Sequence, residues 1–361
     1  LLKSEVGNIN KSEIAGTEQV FLKDVATLRN YYKVQAFSRF KYQNPKVNSL
    51  FFIKKRMGNT LTFLNDFFYH LQFVILNQNK DILIGYSTPL LALLSNKKTV
   101  VFLHNNYKFP FYSLLRKKYQ RANYVFCSQA LKNEVLKKNR LSLPKTFVLH
   151  NSIDNNVFNC KQTQVTNAKK SNELQLLFCS AWSKEKGLNI LLKAILLLPE
   201  KMRQKIYLTI SSSPRLWYSD NPELGKAYIK KSLKLIKKIK NVRLLNGVTH
   251  STLSKLYFQS DYTVFPSIWN EPFGLVSLES IACGTKVICF SNPSTKEILN
   301  NNNSVLILEK SSVALKKCLV KLIKNHNNIN TNKKSLFSEK NSLMVDNARI
   351  NRFKKILDNL S

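Results

Sequence analysis

The chain has 361 residues, enough for two domains that each bury their own core, and is 44% hydrophobic with only 9 Gly and 10 Pro. That composition excludes disordered, collagen-like and disulfide-stapled classes. Its 57 basic and 21 acidic residues give a formal charge of +36, split as +16 over residues 1–160 and +20 over the rest, so the charge is not a detachable tail. Two readings of it stay open: the Lys- and Asn-rich drift of an AT-rich genome, or attraction to an anionic membrane or nucleic acid.

The chain begins at Leu1 with neither methionine nor a cleavable-leader pattern, so missing N-terminal residues are expected here, with the first strand cut short, and not a signal peptide. Short apolar, β-branched runs then alternate with helical-period stretches, which predicts an α/β protein built on parallel sheets. In the first half the strands are predicted over residues 32–38, 81–87, 98–104, 123–128 and 146–152. The most apolar run, at 67–76, is interrupted by His70 and Gln72, and nowhere do about 18 apolar residues follow one another, so no single helix spans a bilayer. Residues 107–122 mix aromatics with Lys108, Arg116, Lys117, Lys118 and Arg121. This fits a helix lying on an anionic lipid surface, and equally a core-facing helix with a solvated basic face.

Residues 159–173 lack apolar periodicity and are rich in Asn, Lys, Thr and Gln, which predicts a linker. It divides an N-terminal domain (1–160) from a C-terminal one (174–340), followed by a terminal helical segment (341–361). The second half repeats the pattern: strands at 174–181, 206–211, 242–247, 262–267 and 286–291, a helix over 187–198, and a low-complexity loop at 324–334. Two doubly wound domains follow, with an active site expected in the cleft outside the carboxyl ends of both sheets. Cys127, Cys160, Cys179, Cys283, Cys289 and Cys318 show no C-x-x-C spacing and are read as buried thiols, pointing to a reducing, cytoplasmic compartment.

Residues 261–290, DYTVFPSIWNEPFGLVSLESIACGTKVICF, carry the chemistry. Pro272 to Gly274 predict a turn, Leu275, Leu278 and Ala282 a helix of about ten residues, and Gly284 its end. The N–H groups of Phe273, Gly274 and Leu275 are predicted to converge where a phosphate or sugar oxygen can sit. Glu271 and Glu279 span roughly 12 Å if the segment is wholly helical. That suits a nucleotide sugar held at hexose and ribose; the alternative is two solvated glutamates near an ordinary helix start.

EPFGLVSLESIACGTKVI resembles the E-x7-E element of family 4 retaining glycosyltransferases. Residues 15–28 are similar to that family's glycine loop and first helix, 100–105 to its donor-side histidine strand, and 123–135 to its serine-bearing strand and helix. Residues 149–158 resemble its Asn-Gly-Val-Asp element, and 183–195 its phosphate lysine and following helix. The resemblance implies the GT-B fold, two Rossmann-like domains flanking a cleft, with the C-terminal helix packing back on the N-terminal domain. It assigns Glu271 to donor-sugar hydroxyls, the Phe273, Gly274 and Leu275 amides to sugar and phosphate, Glu279 to ribose, and Lys186 to the leaving diphosphate. His104 reaches the transferred sugar and Gly16 lets backbone approach donor or acceptor; His70, His150, His250 and His326 are read as structural.

Implied, then, is transfer of a hexose from a UDP- or GDP-linked donor to a hydroxyl of a glycan or lipid-linked acceptor, in envelope polysaccharide or lipopolysaccharide synthesis, with no metal or other cofactor. The enzyme is expected in the cytoplasm, peripheral on the inner face of the membrane, with nucleic acid not a partner. The alternatives are a GT-B sugar-nucleotide epimerase and a non-catalytic basic protein that binds glycan or nucleic acid. Three departures from the family pattern stand out. Ser180 and Ala181 occupy the usual arginine's place, for which Trp182 or Arg215 is a candidate substitute; Ser211 to Pro214 replace a Gly-x-Gly-Pro loop; and Ser152 replaces a glycine.

Overall fold

The computed structural model describes residues 2–4, 16–38, 48–49, 59–160, 172–212, 222–326 and 336–360. The chain divides into two units, Leu1–Ser152 with Asp346–Ser361, and Ile153–Val345. In the first unit the order is β1 (Leu2–Ser4), α1 (Gly16–Leu28), β2 (Ala36–Ser38), β3 (Asn48–Ser49), α2 (Asn59–Ile75), β4 (Ile82–Tyr86), α3 (Leu91–Leu94), β5 (Lys98–Leu103), α4 (Tyr112–Arg121), β6 (Asn123–Phe126), α5 (Gln129–Lys138) and β7 (Thr146–Val148). Its sheet runs β3-β2-β1-β4-β5-β6-β7, with every pairing parallel. A strand covered by helices on both faces needs apolar residues at nearly every position; in β5 only Lys98 is exposed.

The second unit holds β8 (Leu174–Phe178), α6 (Leu188–Leu196), α7 (Glu200–Arg203), β9 (Ile206–Ile210), α8 (Pro222–Ile236), β10 (Val242–Leu244), α9 (His250–Gln259), β11 (Tyr262–Phe265), α10 (Leu275–Ala282), β12 (Lys286–Phe290), α11 (Thr295–Ile298), β13 (Ser304–Ile307) and α12 (Ser312–Lys324). Its parallel sheet runs β10-β9-β8-β11-β12-β13. Leu176, Phe178, Leu191, Ile195, Leu208 and Ile288 lie in the core between sheet and helices. Thr249 and Ser311 cap α9 and α12 by accepting the Thr252 and Ala314 N–H groups, each cap contributing ~1 kcal/mol. In both sheets the order reverses beside the first strand, at β1/β4 and at β8/β11. Open α/β sheets bind ligands outside the strand carboxyl ends at that reversal.

After a 3-10 turn at Glu339–Met344, α13 (Asp346–Asp358) returns to the first unit. The Phe353 ring meets Phe102 edge-on at 4.9 Å. Arg349, buried like Asp24, donates to both Asp24 oxygens and to the His150 carbonyl at 3.1 Å, while the Tyr86 hydroxyl also donates to Asp24. Ser152 donates to Asp346 at 2.7 Å, and Lys23 pairs with the same carboxylate. Ser152 thus ties the end of β7's connection to the start of α13.

Several expectations change. β1, β3 and β13 escape pattern reading because two to four residues show too little alternation, and the strand expected over 32–38 shortens to Ala36–Ser38. The helix after Gly274 has eight residues, Leu275–Ala282. Cys160, Cys179 and Cys318 are half-buried, not buried. Residues 161–171 of the linker, 327–335 of the low-complexity loop, and Ala15, Ser213, Pro214 and Arg215 lie outside the described residues. Among the described residues no helix is long and apolar enough to cross a membrane.

Candidate functional site

The β8–α6 and β11–α10 loops leave the sheet side by side at the β8/β11 reversal, and one glycine sets how closely they approach. Gly187, at φ +77°, precedes α6, and a Cβ there would lie 2.0 Å from the Pro266 carbonyl oxygen. Only glycine fits that approach. The Ile268 N–H and the Ser267 hydroxyl donate to the Glu185 carbonyl at 2.9 and 3.0 Å. Lys186 Nζ, next in sequence, is thereby brought 2.7 Å from Glu271 Oε1, which also accepts from Ser267 Oγ at 2.7 Å. The side chains are 14% and 6% exposed, so the pair is largely shielded from water and losing either partner leaves an uncompensated charge. Lys186 Nζ also stands 5.1 Å from the Trp269 ring centre, and Ser294 holds the Glu271 carbonyl. Among the described residues nothing takes up Glu271 Oε2, so one carboxylate oxygen is clamped and the other is left to accept.

Gly274, at φ +101°, caps α10 from the left-handed region. The helix therefore starts at Leu275, and Glu271 to Gly274 form an extended turn, so the fully helical 12 Å span between the glutamates does not apply. Ser277 N–H returns to the Gly274 carbonyl at 3.0 Å, whereas the amides of Gly274, Leu275 and Val276 have no acceptor within the helix, as at any helix start. The helix dipole makes this end favourable for a phosphate or sugar oxygen. Phe273 is buried and anchors the turn. Glu279, 8% exposed, accepts from the Tyr257 hydroxyl at 2.8 Å, and that hydroxyl lies 3.2 Å from Cys179 Sγ. Burial pushes the Cys179 thiol up to about 12 and holds Tyr257 well above the ordinary phenol value.

Among the described residues of this unit three buried polar atoms have no partner: Ser211 Oγ just after β9, Ser277 Oγ in the first turn of α10, and Asn292 Nδ2 just after β12. They lie at the carboxyl edge of the sheet, where a ligand can satisfy them. Sequence reasoning named Ser211 only as a departure in a loop and missed Ser267, Asn292, Ser294 and Tyr257. The available signal was small polar residues immediately after apolar strands, at Ser211, Ser267 and Asn292.

His104 follows β5 at the carboxyl edge of the first sheet. It is buried, its ring stacks on Tyr86 at 5.8 Å, and among the described residues neither ring nitrogen has a partner. Burial first, then the Arg349 charge, lowers its pKa to about 3. It is a neutral imidazole at physiological pH. Gly16 opens α1. Trp182, weighed as a substitute for the missing arginine, donates its indole N–H to the Ser212 carbonyl and hydroxyl at 2.9 and 3.1 Å. It holds Ser212, two residues after β9, and offers no cation. The other histidines make structural contacts: His70 with Thr88, His326 with Asp261 at 3.2 Å, His250 beside Phe158 at 5.5 Å, and the His150 carbonyl with Arg349. Among the described residues no group of three or more His, Cys, Asp or Glu is placed to hold a metal.

Residues 161–340 match the family described as glycosyl transferases group 1. An uncharacterized glycosyltransferase of Methanocaldococcus jannaschii is 28% identical over 202 residues, 54% of this chain and 48% of that protein; the chain spans about half the length of this relative. HepE of Anabaena, solved with UDP-glucose, superposes with a TM-score of 0.75 at 16% identity over 99% of both chains. WaaG, a glycosyltransferase involved in lipopolysaccharide biosynthesis, superposes at 0.64 and 14% identity over 95% of this chain and 98% of that one. The fold is GT-B.

Proposed function

We propose that this chain, whose residues 161–340 carry a group 1 glycosyltransferase domain, is a family 4 retaining glycosyltransferase. It moves a hexose from a UDP- or GDP-linked donor to a hydroxyl of a glycan or lipid-linked acceptor. The observation that carries this reading is the half-clamped Glu271. Lys186 and Ser267 fix Oε1, and among the described residues Oε2 has no protein donor, as a carboxylate that receives sugar hydroxyls requires. The Lys186 ammonium has three donors, of which Glu271 takes one, so cationic N–H groups remain for the diphosphate beside the α10 amides. Glu279 takes the ribose hydroxyls, and His104 is assigned to the transferred sugar by resemblance alone.

In the proposed reaction the bond from the sugar's anomeric carbon to the diphosphate breaks while the acceptor oxygen bonds to the same face. The acceptor's proton passes to the departing phosphate oxygen. Fixed positive charge and aligned amides stabilise that departing charge without having to reorganise, so we read the transfer as metal-independent. HepE, seen with UDP-glucose, and WaaG, tied to lipopolysaccharide, support the donor class and an envelope role.

We place the enzyme in the cytoplasm at the inner face of the membrane. Phe111 and Leu114, at the start of α4, are 62% and 81% exposed, amid Lys108, Arg116, Lys117, Lys118 and Arg121 with no acid between residues 107 and 122. Phe111 is held left-handed at φ +54°, an unusual conformation for a bulky side chain. Phe109 and Tyr119 fill the buried side, and the exposed Phe111 and Leu114 amid the basic residues are what favours the lipid-surface reading over a merely solvated basic face. Liposome flotation checks the placement: binding should require anionic lipid and fall for Phe111→Ser/Leu114→Ser, and equal flotation on neutral vesicles rejects it.

A scan of nucleotide sugars, with and without EDTA, tests the activity. The proposal expects release of free UDP or GDP and a product of retained anomeric configuration, unchanged by chelation. Epimer formation without release selects the epimerase reading, and no turnover with any donor selects the binding protein.

A further inference from the structure

Tyr257 and Glu279 are 22 positions apart, on α9 and α10, and their side chains meet at 2.8 Å in a buried setting. A carboxylate only accepts, so the phenol donates to Glu279 Oε2. The phenol oxygen then accepts from Cys179 Sγ at 3.2 Å, since burial keeps the thiol protonated. Cys179 follows the last residue of β8, at the sheet reversal where the ligand is expected. Among these three side chains the direction of both bonds is therefore set: thiol to phenol, phenol to carboxylate. The tyrosine itself is fixed, because Thr285 in the turn after α10 donates to its carbonyl and the Phe158 ring lies 6.2 Å from its own.

We propose that Tyr257, backed by Cys179, is a positioning residue that orients the Glu279 carboxylate for the ribose diol of the donor, and so sets the preference for ribonucleotides over 2′-deoxyribonucleotides. The proposal rests on the assignment of Glu279 to the ribose. Two vicinal hydroxyls need two acceptor lone pairs at a fixed spacing, and a carboxylate free to rotate about its last torsion presents them only part of the time. A hydrogen bond on one oxygen selects one rotamer, and the thiol behind the phenol polarises that bond further. Ribose contacts are made equally in the ground state and the transition state, so their loss appears in KM and not in kcat.

The experiment is calorimetry of the full chain with UDP and GDP, each against its 2′-deoxy counterpart, for the wild type, Tyr257→Phe and Cys179→Ala. The wild type is expected to prefer the ribo form of the base it accepts by about tenfold or more, as for a hydrogen bond to a charged group. In Tyr257→Phe the ribo affinity should fall about tenfold and the deoxy affinity, which keeps one hydroxyl on Glu279, by a smaller factor, so their ratio moves toward one. Cys179→Ala should move the ratio the same way by a smaller factor. With an accepted donor sugar, KM should rise for Tyr257→Phe while kcat stays within about twofold. The ratio is taken within one variant, so a reduced folded fraction does not alter it. Parallel loss of both affinities, or a ratio as large as the wild type's, overturns the positioning role. A wild type that binds both nucleotides without discrimination overturns the Glu279 assignment, and one that binds neither overturns the donor-site reading, each taking this inference with it.

Discussion

Replacing Gly187 by alanine isolates the contact that brings Lys186 to Glu271. Two costs combine. The residue sits at φ +77°, where an L side chain costs ~1–2 kcal/mol. Its new Cβ would also lie 2.0 Å from the Pro266 carbonyl oxygen and 2.9 Å from the carbonyl carbon. These are backbone atoms, and no side-chain rotation relieves the overlap, so one loop must move by more than an ångström. That displacement breaks the Ile268 to Glu185 and Ser267 to Glu185 bonds, each worth ~1 kcal/mol. The sum, about 3–4 kcal/mol, lowers the melting temperature by about 6–16 °C at ~2–4 °C per kcal/mol for a domain of this size. Gly274→Ala is the control. Its φ of +101° imposes strain, but its Cβ would meet only ordinary contacts at 3.6 and 3.9 Å, so the cost stays near ~1–2 kcal/mol. Thermal and urea unfolding of both variants measures the difference. A Gly187→Ala protein that melts within a degree of wild type, or above Gly274→Ala, refutes the close-approach reasoning.

Lys186→Met leaves the buried Glu271 carboxylate uncompensated and should destabilise the second unit by about 3–5 kcal/mol. Adding Glu271→Gln should restore most of that stability without restoring transfer, and a double-mutant cycle in urea together with product assays reports both. His104 gives a pH dependence with a defined sign. Its folded pKa of about 3 lies below the ordinary 6.5, so between those values the unfolded chain binds the extra proton and stability falls as pH falls. Between pH 7 and pH 5 the loss is about 2 kcal/mol, fully developed only near pH 3. His104→Gln should remove this share, and identical wild-type and variant profiles would show that the imidazole is not held neutral.

What the sequence discloses depends on whether a feature is local. The run KTVVFL of β5 and the turn-helix-strand pattern from Pro272 to Phe290 are legible because a single stretch contains the periodicity and the breakers that define them. Glu271 and Glu279 were chosen by residue type and spacing and Lys186 by the family resemblance alone; the structure brings Lys186 and Glu271 into contact while Glu279 meets Tyr257. The supporting side chains were not legible. Ser294 reaches Glu271 across 23 positions, and Asp24 meets Arg349 across 325; such pairs leave no periodic trace. Nor does spacing reveal that Trp182 serves Ser212, because a tryptophan beside a missing arginine looks the same whether it stacks, donates or fills the core.

The most direct measurement is titration of the protein with UDP-glucose and GDP-mannose, followed by the remaining nucleotide sugars, in the wild type, Glu271→Gln and Glu279→Gln. The account predicts saturable one-to-one binding of at least one donor by the wild type. It predicts that the Glu271 change weakens the sugar nucleotide far more than the free diphosphate, while the Glu279 change weakens both. Equal affinity of all three proteins for the donor, or no binding of any donor by the wild type, contradicts it.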